Sequence, residues 1–359
     1  MKMLIAGGGT GGHLFPGIAV AEEVLTRRSG NEVLFIGTDR GLEARVLPAL
    51  GYRLECIDVT GIKGTGLTSK LRGMLRVPQA VWTSLFVVRA FRPDVAVGVG
   101  GYASGPAIAA AWLLGVPCAV MEQNSVPGVT NRILARIAKR IFVAFPSSAR
   151  FFPEQRVLAL GNPIRRQILD NFLEPSRHRE DRFCVLVLGG SQGARGLNDR
   201  VAEAVEILHE KGVRLHWKHQ AGETDLKRLQ ERYGDLGADV DVVAFIEDMS
   251  TAYRQADVVI CRAGATTLAE LTVAKKASIL VPFPYATDNH QELNALSLAE
   301  AGAAIMVRER ELDGTRLAGL IEGLVSDRAQ ITRMEQAAAL IGRPEAAREI
   351  VDECEEIAR

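Results

Sequence analysis

Short apolar runs alternate along the chain with longer stretches in which apolar positions recur every three or four residues. The runs Met3–Ala6, Glu32–Ile36, Asp94–Val99, Cys118–Met121 and Ile141–Ala144 predict one series of strands. Phe183–Leu188, Arg214–Lys218, Val240–Ala244, Val258–Cys261 and Ser278–Val281 predict a second. Amphipathic segments such as Gly17–Arg28 and Leu197–Lys211 predict helices between them. Strand and helix in alternation imply parallel, doubly wound α/β sheets covered on both faces.

The two series open alike. Met3-Leu-Ile-Ala-Gly-Gly-Gly-Thr-Gly-Gly begins the first and Val185-Leu-Val-Leu-Gly-Gly-Ser-Gln-Gly-Ala the second. Each reads as strand, glycine loop, helix, so the pattern predicts two similar domains. A chain of 359 residues also exceeds what one core usually organises. The boundary is expected near Gly161-Asn-Pro, with domains at 1–163 and 164–341. The charged stretch Glu174–Arg182 leads into the second domain, and Arg343-Pro344 precedes a last helix within 342–359. The uncharged segment from Val95 to Met121 is long enough to imitate a membrane span. Its glycines and prolines parse it instead as strand, loop, helix, turn and strand.

Composition narrows the picture. Lysine plus arginine balance aspartate plus glutamate at 43 each, so bulk charge argues for neither nucleic acid nor membrane. The cysteines 56, 118, 184, 261 and 354 lack metal spacing and read as reduced thiols. His216 and His219 read as structural residues of a strand. Met1-Lys-Met-Leu-Ile-Ala is too short for the apolar core of a signal peptide.

A glycine loop between a parallel strand and a helix aims backbone N–H groups and the positive helix end at an anion. Gly7-Gly-Gly-Thr-Gly-Gly12 fits the G-x-G-x-x-G pattern, and Asp39 follows the second strand, which on their own suggest a dinucleotide dehydrogenase. The second loop, Gly189-Gly190-Ser191-Gln192-Gly193, instead suits one ligand held by both domains. A third site, Arg262-Ala-Gly-Ala-Thr-Thr-Leu-Ala-Glu270, follows a strand and starts a helix. It suits a diphosphate, with Glu270 one turn past Thr266 and able to accept ribose hydroxyls. The same residues also read as an ordinary helix start with a threonine cap. Downstream, Asp288, Asn289 and Gln291 offer polar groups to a sugar, or a cap to the helix that follows.

Gly7–Pro16, Gly98–Pro106, Glu122-Gln-Asn124, Gly161-Asn-Pro-Ile-Arg165, Gly189–Ala194, Arg262–Glu270 and Ala286–Asn294, in that order, resemble glycosyltransferase family 28. The resemblance implies a GT-B fold, two Rossmann-like doubly wound parallel-sheet domains facing a cleft, with the last helix packing back on the first domain. It implies an inverting N-acetylglucosaminyltransferase of peptidoglycan synthesis, with UDP-N-acetylglucosamine (UDP-GlcNAc) as donor and lipid I as acceptor. Carried over by position, Ser191 and the Ile246 backbone meet the donor nucleotide. Ala265, Thr266, Thr267, Leu268 and Ala269 surround the diphosphate, Glu270 holds the ribose and Gln291 the sugar. Thr10, Gly11, Gly12 and Asn124 face sugar and acceptor, and Arg165 complements phosphate charge.

The resemblance implies no cofactor and no metal, helix ends and N–H groups absorbing the leaving charge, and no Asp-x-Asp metal motif is expected. His13 is the first candidate for the general base and Glu122 the second. The family commonly reads His-Glu-Gln-Asn where this chain has Met121-Glu-Gln-Asn, so that histidine is not required here. The acceptor demands a surface on the cytoplasmic face of the membrane. Lys63 to Arg92 carries Lys63, Lys70, Arg72, Arg76, Arg89 and Arg92 without an acid, interleaved with Leu67, Leu71, Leu75, Val81, Trp82, Leu85 and Phe86. Trp112, Arg136, Lys139 and Arg140 extend this patch. The expected location is therefore peripheral on the cytoplasmic side of the cell membrane, with cell-wall synthesis proteins as further partners and no nucleic acid. Two other readings stand beside this one, an NAD(P)-dependent oxidoreductase and a nucleotide-sugar epimerising or binding protein of the same fold.

Overall fold

The computed structural model describes residues 1–59, 67–172, 182–190 and 193–359, with the side chains of 67–76 and 171 outside the description. The chain divides into two compact units. One comprises Met1–Arg166 and Arg343–Arg359, the other Gln167–Gly342.

In unit 1, β1 (Lys2–Gly7) runs through a glycine turn into α1 (Gly11–Arg27). β2 (Glu32–Gly37), α2 (Leu42–Ala49), β3 (Arg53–Cys56) and α3 (Leu67–Phe91) follow. After them come β4 (Val95–Gly100), α4 (Ser104–Leu113), β5 (Cys118–Glu122), α5 (Val129–Leu134), β6 (Arg140–Val143) and β7 (Val157–Leu158). The strands form one parallel sheet in the order β3-β2-β1-β4-β5-β6-β7. Strand side chains alternate between its faces. Leu4, Ala6, Leu34 and Ile36 enter one apolar cluster, and Met3, Ile5, Phe35, Val95 and Val97 enter the other. The span-like segment at 95–121 resolves into β4, α4 and β5. Among the described residues, no helix is long and apolar enough to cross a membrane.

The short helix α6 (Arg166–Phe172) stands at the boundary of the units. Unit 2 then repeats the plan with β8 (Phe183–Leu188), α7 (Arg195–Glu210), β9 (Leu215–Gln220), α8 (Leu226–Leu236), β10 (Val240–Val243) and α9 (Met249–Gln255). β11 (Val258–Cys261), α10 (Ala265–Val273), β12 (Ala277–Leu280), α11 (His290–Glu300), β13 (Ala304–Met306), α12 (Gly314–Ser326) and α13 (Arg328–Ile341) complete it. Its parallel sheet is ordered β10-β9-β8-β11-β12-β13.

The final helix α14 (Ala346–Ala358) belongs to unit 1. Ile350, Val351, Cys354 and Ile357 make one apolar face at helical spacing and complete the cluster behind β1 and β4. Arg27 of α1 pairs with Asp352, and Arg140 with Glu353 at 2.7 Å each. Arg140 is thus spent on holding α14, which removes it from the basic patch expected around Trp112.

In both sheets the strand order reverses next to the first strand, between β1 and β4 and between β8 and β11. A crevice opens at the C-terminal ends of the strands at such a point, and that is where open α/β sheets take ligands. All three glycine sites lie at these ends.

Candidate functional site in each unit

In unit 1 the glycine loop is fastened from two sides. The Gly8 N–H donates to the Gly100 carbonyl at 3.3 Å, joining the loops after β1 and β4. Glu43, in the first turn of α2 and 1% exposed, accepts from the Gly9 N–H at 2.7 Å and from the Thr38 N–H and hydroxyl at 3.0 and 2.8 Å. Gly8 has φ +143°, and a Cβ there would lie 2.5 Å from the Glu43 carboxylate, so no other residue fits. A carboxylate of the chain itself therefore takes the N–H that a dinucleotide phosphate would use. Asp39, the residue that suggested a ribose acid, is exposed and sits 3.7 Å from Arg40.

Thr10, Gly11 and Gly12 open α1. Pro16 lies within the helix, and its missing N–H leaves the Gly12 carbonyl without the usual intrahelical donor. His13 is half-buried, its Nδ1 3.1 Å from Oε1 of Gln123. Arg165 lays its guanidinium over the Phe15 ring at 4.6 Å, which holds a positive charge beside the first turns of α1. Asn124 donates from backbone and side chain to Glu122 Oε1, at 2.9 and 3.4 Å. Glu122 Oε2 accepts from the Gly128 N–H at 3.1 Å and from Asn131 Nδ2 at 2.8 Å. The Glu122 carboxylate, 2% exposed, is thereby committed to shaping the loop between β5 and α5.

In unit 2, Ser191 lies outside the described residues, with Gln192. The flanking Gly190 and Gly193 have φ +81° and +76°. Gln220, at the end of β9, donates from Nε2 to the Gly190 carbonyl at 3.1 Å and accepts the Ile246 N–H on Oε1 at 3.4 Å. It ties the glycine loop to the backbone expected to read uracil. α10 starts at Gly264 with no side-chain cap and no acidic residue in its first turn. The threonine-cap alternative therefore fails, and no side chain of the described residues caps the first N–H groups of α10. The Thr266 hydroxyl is buried and finds no partner among the described residues. Glu270, one turn on, accepts from the Tyr253 hydroxyl at 3.1 Å. Gln291 Oε1 accepts from the Phe283 N–H at 3.0 Å. Before it, Asp288 and Asn289 are both left-handed, with φ 52° and 55°, a strained entry to α11 of about 1–2 kcal/mol per residue.

His219 is buried between Tyr233 and Asn198, at 3.0 and 3.1 Å, and desolvation lowers its pKa to about 4. One Asp-x-Asp spacing occurs in the chain, Asp239-Val-Asp241, which corrects the expectation of none. Asp239 is bound by His216 at 3.2 Å and Arg182 at 2.8 Å, and Asp241 lies 3.5 Å from Lys218. The pair stands at the start of β10, the opposite end of the sheet from the glycine loops.

Two family descriptions match the chain, the glycosyltransferase family 28 N-terminal domain over residues 3–143 and the C-terminal domain over 184–350. The chain belongs to glycosyltransferase family 28. A family 28 relative from Myxococcus xanthus is 55% identical, covering 99% of this chain and 92% of its own. One from an Anaeromyxobacter strain is 53% identical over 100% and 94%. Both are named UDP-N-acetylglucosamine--N-acetylmuramyl-(pentapeptide) pyrophosphoryl-undecaprenol N-acetylglucosamine transferase. The crystal structure of Acinetobacter baumannii MurG is similar, with a TM-score of 0.81 and 33% identity over 99% of both chains. The GT-B architecture of the family is the one seen here, two parallel-sheet Rossmann-like domains of seven and six strands.

Four residues of this family 28 chain were missed in the sequence: Glu43, Gln123, Gln220 and Tyr253. Each holds a residue or backbone group of a candidate site rather than matching a ligand itself.

Proposed function

We propose that this chain transfers N-acetylglucosamine from UDP-GlcNAc to the C4 hydroxyl of the N-acetylmuramoyl residue of lipid I, forming lipid II with inversion at the anomeric carbon. The observation that carries this reading is the uncapped start of α10 with Glu270 one turn on, in a chain matched end to end by transferases of that name.

On this reading the N–H groups of Ala265, Thr266 and Thr267, at the positive end of α10, receive the diphosphate. Leu268 and Ala269 continue the turn. Glu270, its carboxylate steadied by Tyr253, accepts the ribose hydroxyls. The Ile246 N–H reads uracil once Gln220 releases it, Ser191 adds a contact from the second loop, and the Gln291 amide binds the sugar. Thr10, Gly11, Gly12 and Asn124 meet sugar and acceptor, and Arg165 faces phosphate charge. His13 takes the proton from the acceptor hydroxyl as that oxygen bonds the anomeric carbon. The bond from that carbon to the phosphate oxygen breaks, and its electron pair leaves with UDP. His13 is preferred to Glu122 as base because four donors already occupy the Glu122 oxygens.

Contact with the cytoplasmic membrane surface is proposed through the outer face of α3. Trp82 and Phe86 are 63% and 60% exposed and pack edge to face at 5.4 Å, with Trp112 exposed as well and Leu85 half-buried against the core. Leu71 and Leu75, with Leu67, Lys63, Lys70, Arg72 and Arg76, lie outside the described residues or side chains. Trp82→Ser with Phe86→Ser should weaken sedimentation with anionic vesicles and leave turnover of a water-soluble lipid I analogue intact. Equal loss of both would count against a membrane role for this face.

The decisive experiment is product analysis with UDP-GlcNAc and a lipid I analogue. Formation of the disaccharide with stoichiometric UDP is expected. UDP-ManNAc formed without acceptor would favour the epimerase reading, and NAD binding without uridine-nucleotide binding the oxidoreductase.

A further inference from the structure

His13 and Gln123 stand 110 residues apart in sequence and meet at the C-terminal ends of β1 and β5. Gln123 is 1% exposed, so neither end of its amide can turn to water. Its Nε2 lies 3.1 Å from the Val99 carbonyl, which has no proton to give. The amide NH2 therefore faces Val99, and Oε1 faces His13 Nδ1 at 3.1 Å. An amide oxygen only accepts, so Nδ1 carries the proton. A neutral imidazole has a single N–H, which leaves the lone pair on Nε2. Nε2 has no hydrogen-bond partner among the described residues. The backbone pens the ring in the same place, since a Cβ at Gly100 would lie 2.8 Å from Nδ1.

We infer that Gln123 is a positioning residue that fixes His13 in the Nδ1–H tautomer, so that Nε2 is the atom that receives the acceptor's proton. The inference rests on His13 being the base. The polarity runs from the Val99 carbonyl through the amide to the ring, and each link leaves the next only one role. Val99 precedes Gly100, the last residue of β4, whose carbonyl also holds the first glycine loop, so the tautomer and the loop are set by one strand end. Because Gln123 is neutral, it orients the ring without adding a charge next to it.

The test uses the full chain labelled with 15N-histidine at about pH 8, where an unperturbed imidazole is neutral. Long-range proton–nitrogen correlations should give His13, assigned by its absence in His13→Asn, a protonated Nδ1 and a bare Nε2. In Gln123→Met, which is close in size but has no amide, the two nitrogen signals should move toward each other or exchange. There kcat should fall about tenfold or more with KM for UDP-GlcNAc unchanged. Gln123→Glu, protonated so that its O–H donates to the Val99 carbonyl, keeps an oxygen acceptor facing Nδ1 and should restore both the tautomer and most of the turnover. A bare Nδ1 in the parent chain, or an unaltered tautomer and kcat in Gln123→Met, would overturn the inference. Full turnover in His13→Asn would instead defeat the base assignment, while the tautomer signal would still report whether Gln123 orders the ring.

Discussion

Replacing Glu43 by alanine should destabilise unit 1 by loosening the first glycine loop. Three donors converge on this buried carboxylate, the Gly9 N–H and the Thr38 N–H and hydroxyl, all between 2.7 and 3.0 Å. A hydrogen bond to a charged acceptor contributes about 1.5–3 kcal/mol. The half-exposed loop regains some water on truncation, so the three are not additive. A net loss of about 3–5 kcal/mol is expected, because each stranded donor costs about 1–3 kcal/mol and renewed contact with water offsets part of the sum. For a unit of this size that corresponds to a fall of roughly 6–20 °C in its melting transition. Urea and thermal unfolding followed by circular dichroism measure it. Isothermal titration with UDP-GlcNAc then reports whether unit 2, which carries the proposed uracil, ribose and diphosphate contacts, is intact in the variant. Glu43→Gln retains one acceptor oxygen and should fall between the two. A loss below about 1 kcal/mol for Glu43→Ala would mean that the donors find other partners and that the loop does not depend on this carboxylate.

Gly100→Ala should cut turnover strongly and leave donor affinity unchanged. The residue has φ +94°, and its new methyl would displace the His13 ring, so steady-state kinetics should show the loss in kcat. Glu270→Ala should weaken donor binding by about 2 kcal/mol, near thirtyfold, and Tyr253→Phe by about 1 kcal/mol, with equal effects of the two arguing against a direct ribose contact. The burial that lowers the His219 pKa to about 4 sets a pH dependence. Between that value and the unfolded value near 6.5 the unfolded chain binds the extra proton, so stability is full above 6.5 and declines as pH falls toward 4. Unit 2 should lose about 3 kcal/mol across this window by urea titration. His219→Gln should flatten that slope, and an unchanged slope would assign the dependence to other groups.

The sheets are legible in the sequence where a strand is buried on both faces, as in β1, β4 and β8, which read as apolar runs leading into glycines. β3, β7 and β13 were not read. All three lie at sheet edges, where half of each strand meets solvent, and Arg53-Leu-Glu-Cys carries little apolar signal. The amphipathic pattern predicts a helix from Gly17. α1 begins at Gly11, with Pro16 inside, since only the Gly12 carbonyl loses its partner. Candidate ligand positions show in the sequence as glycines and hydroxyls at strand ends. Their supports do not. Gln123 acts on a residue 110 positions away, and Glu43 on a loop 34 positions away. Neither leaves a local pattern, and Glu43 reads simply as an acid suited to a helix start. Their roles appear only when the fold closes these distances.

The placement of α14 has a consequence for biosynthesis. Residues 346–358 supply a wall of the core behind β1 and β4, yet the ribosome makes them only after all of Gln167–Gly342. At 5–20 residues per second, translation of that intervening stretch takes roughly 10–35 s. Through that interval the nascent amino-terminal lobe carries an uncovered apolar seam along Met3, Ile5 and Val97, while the later lobe is free to fold. Holdase chaperones should therefore engage ribosome-bound chains at this seam, and release should coincide with emergence of the closing helix.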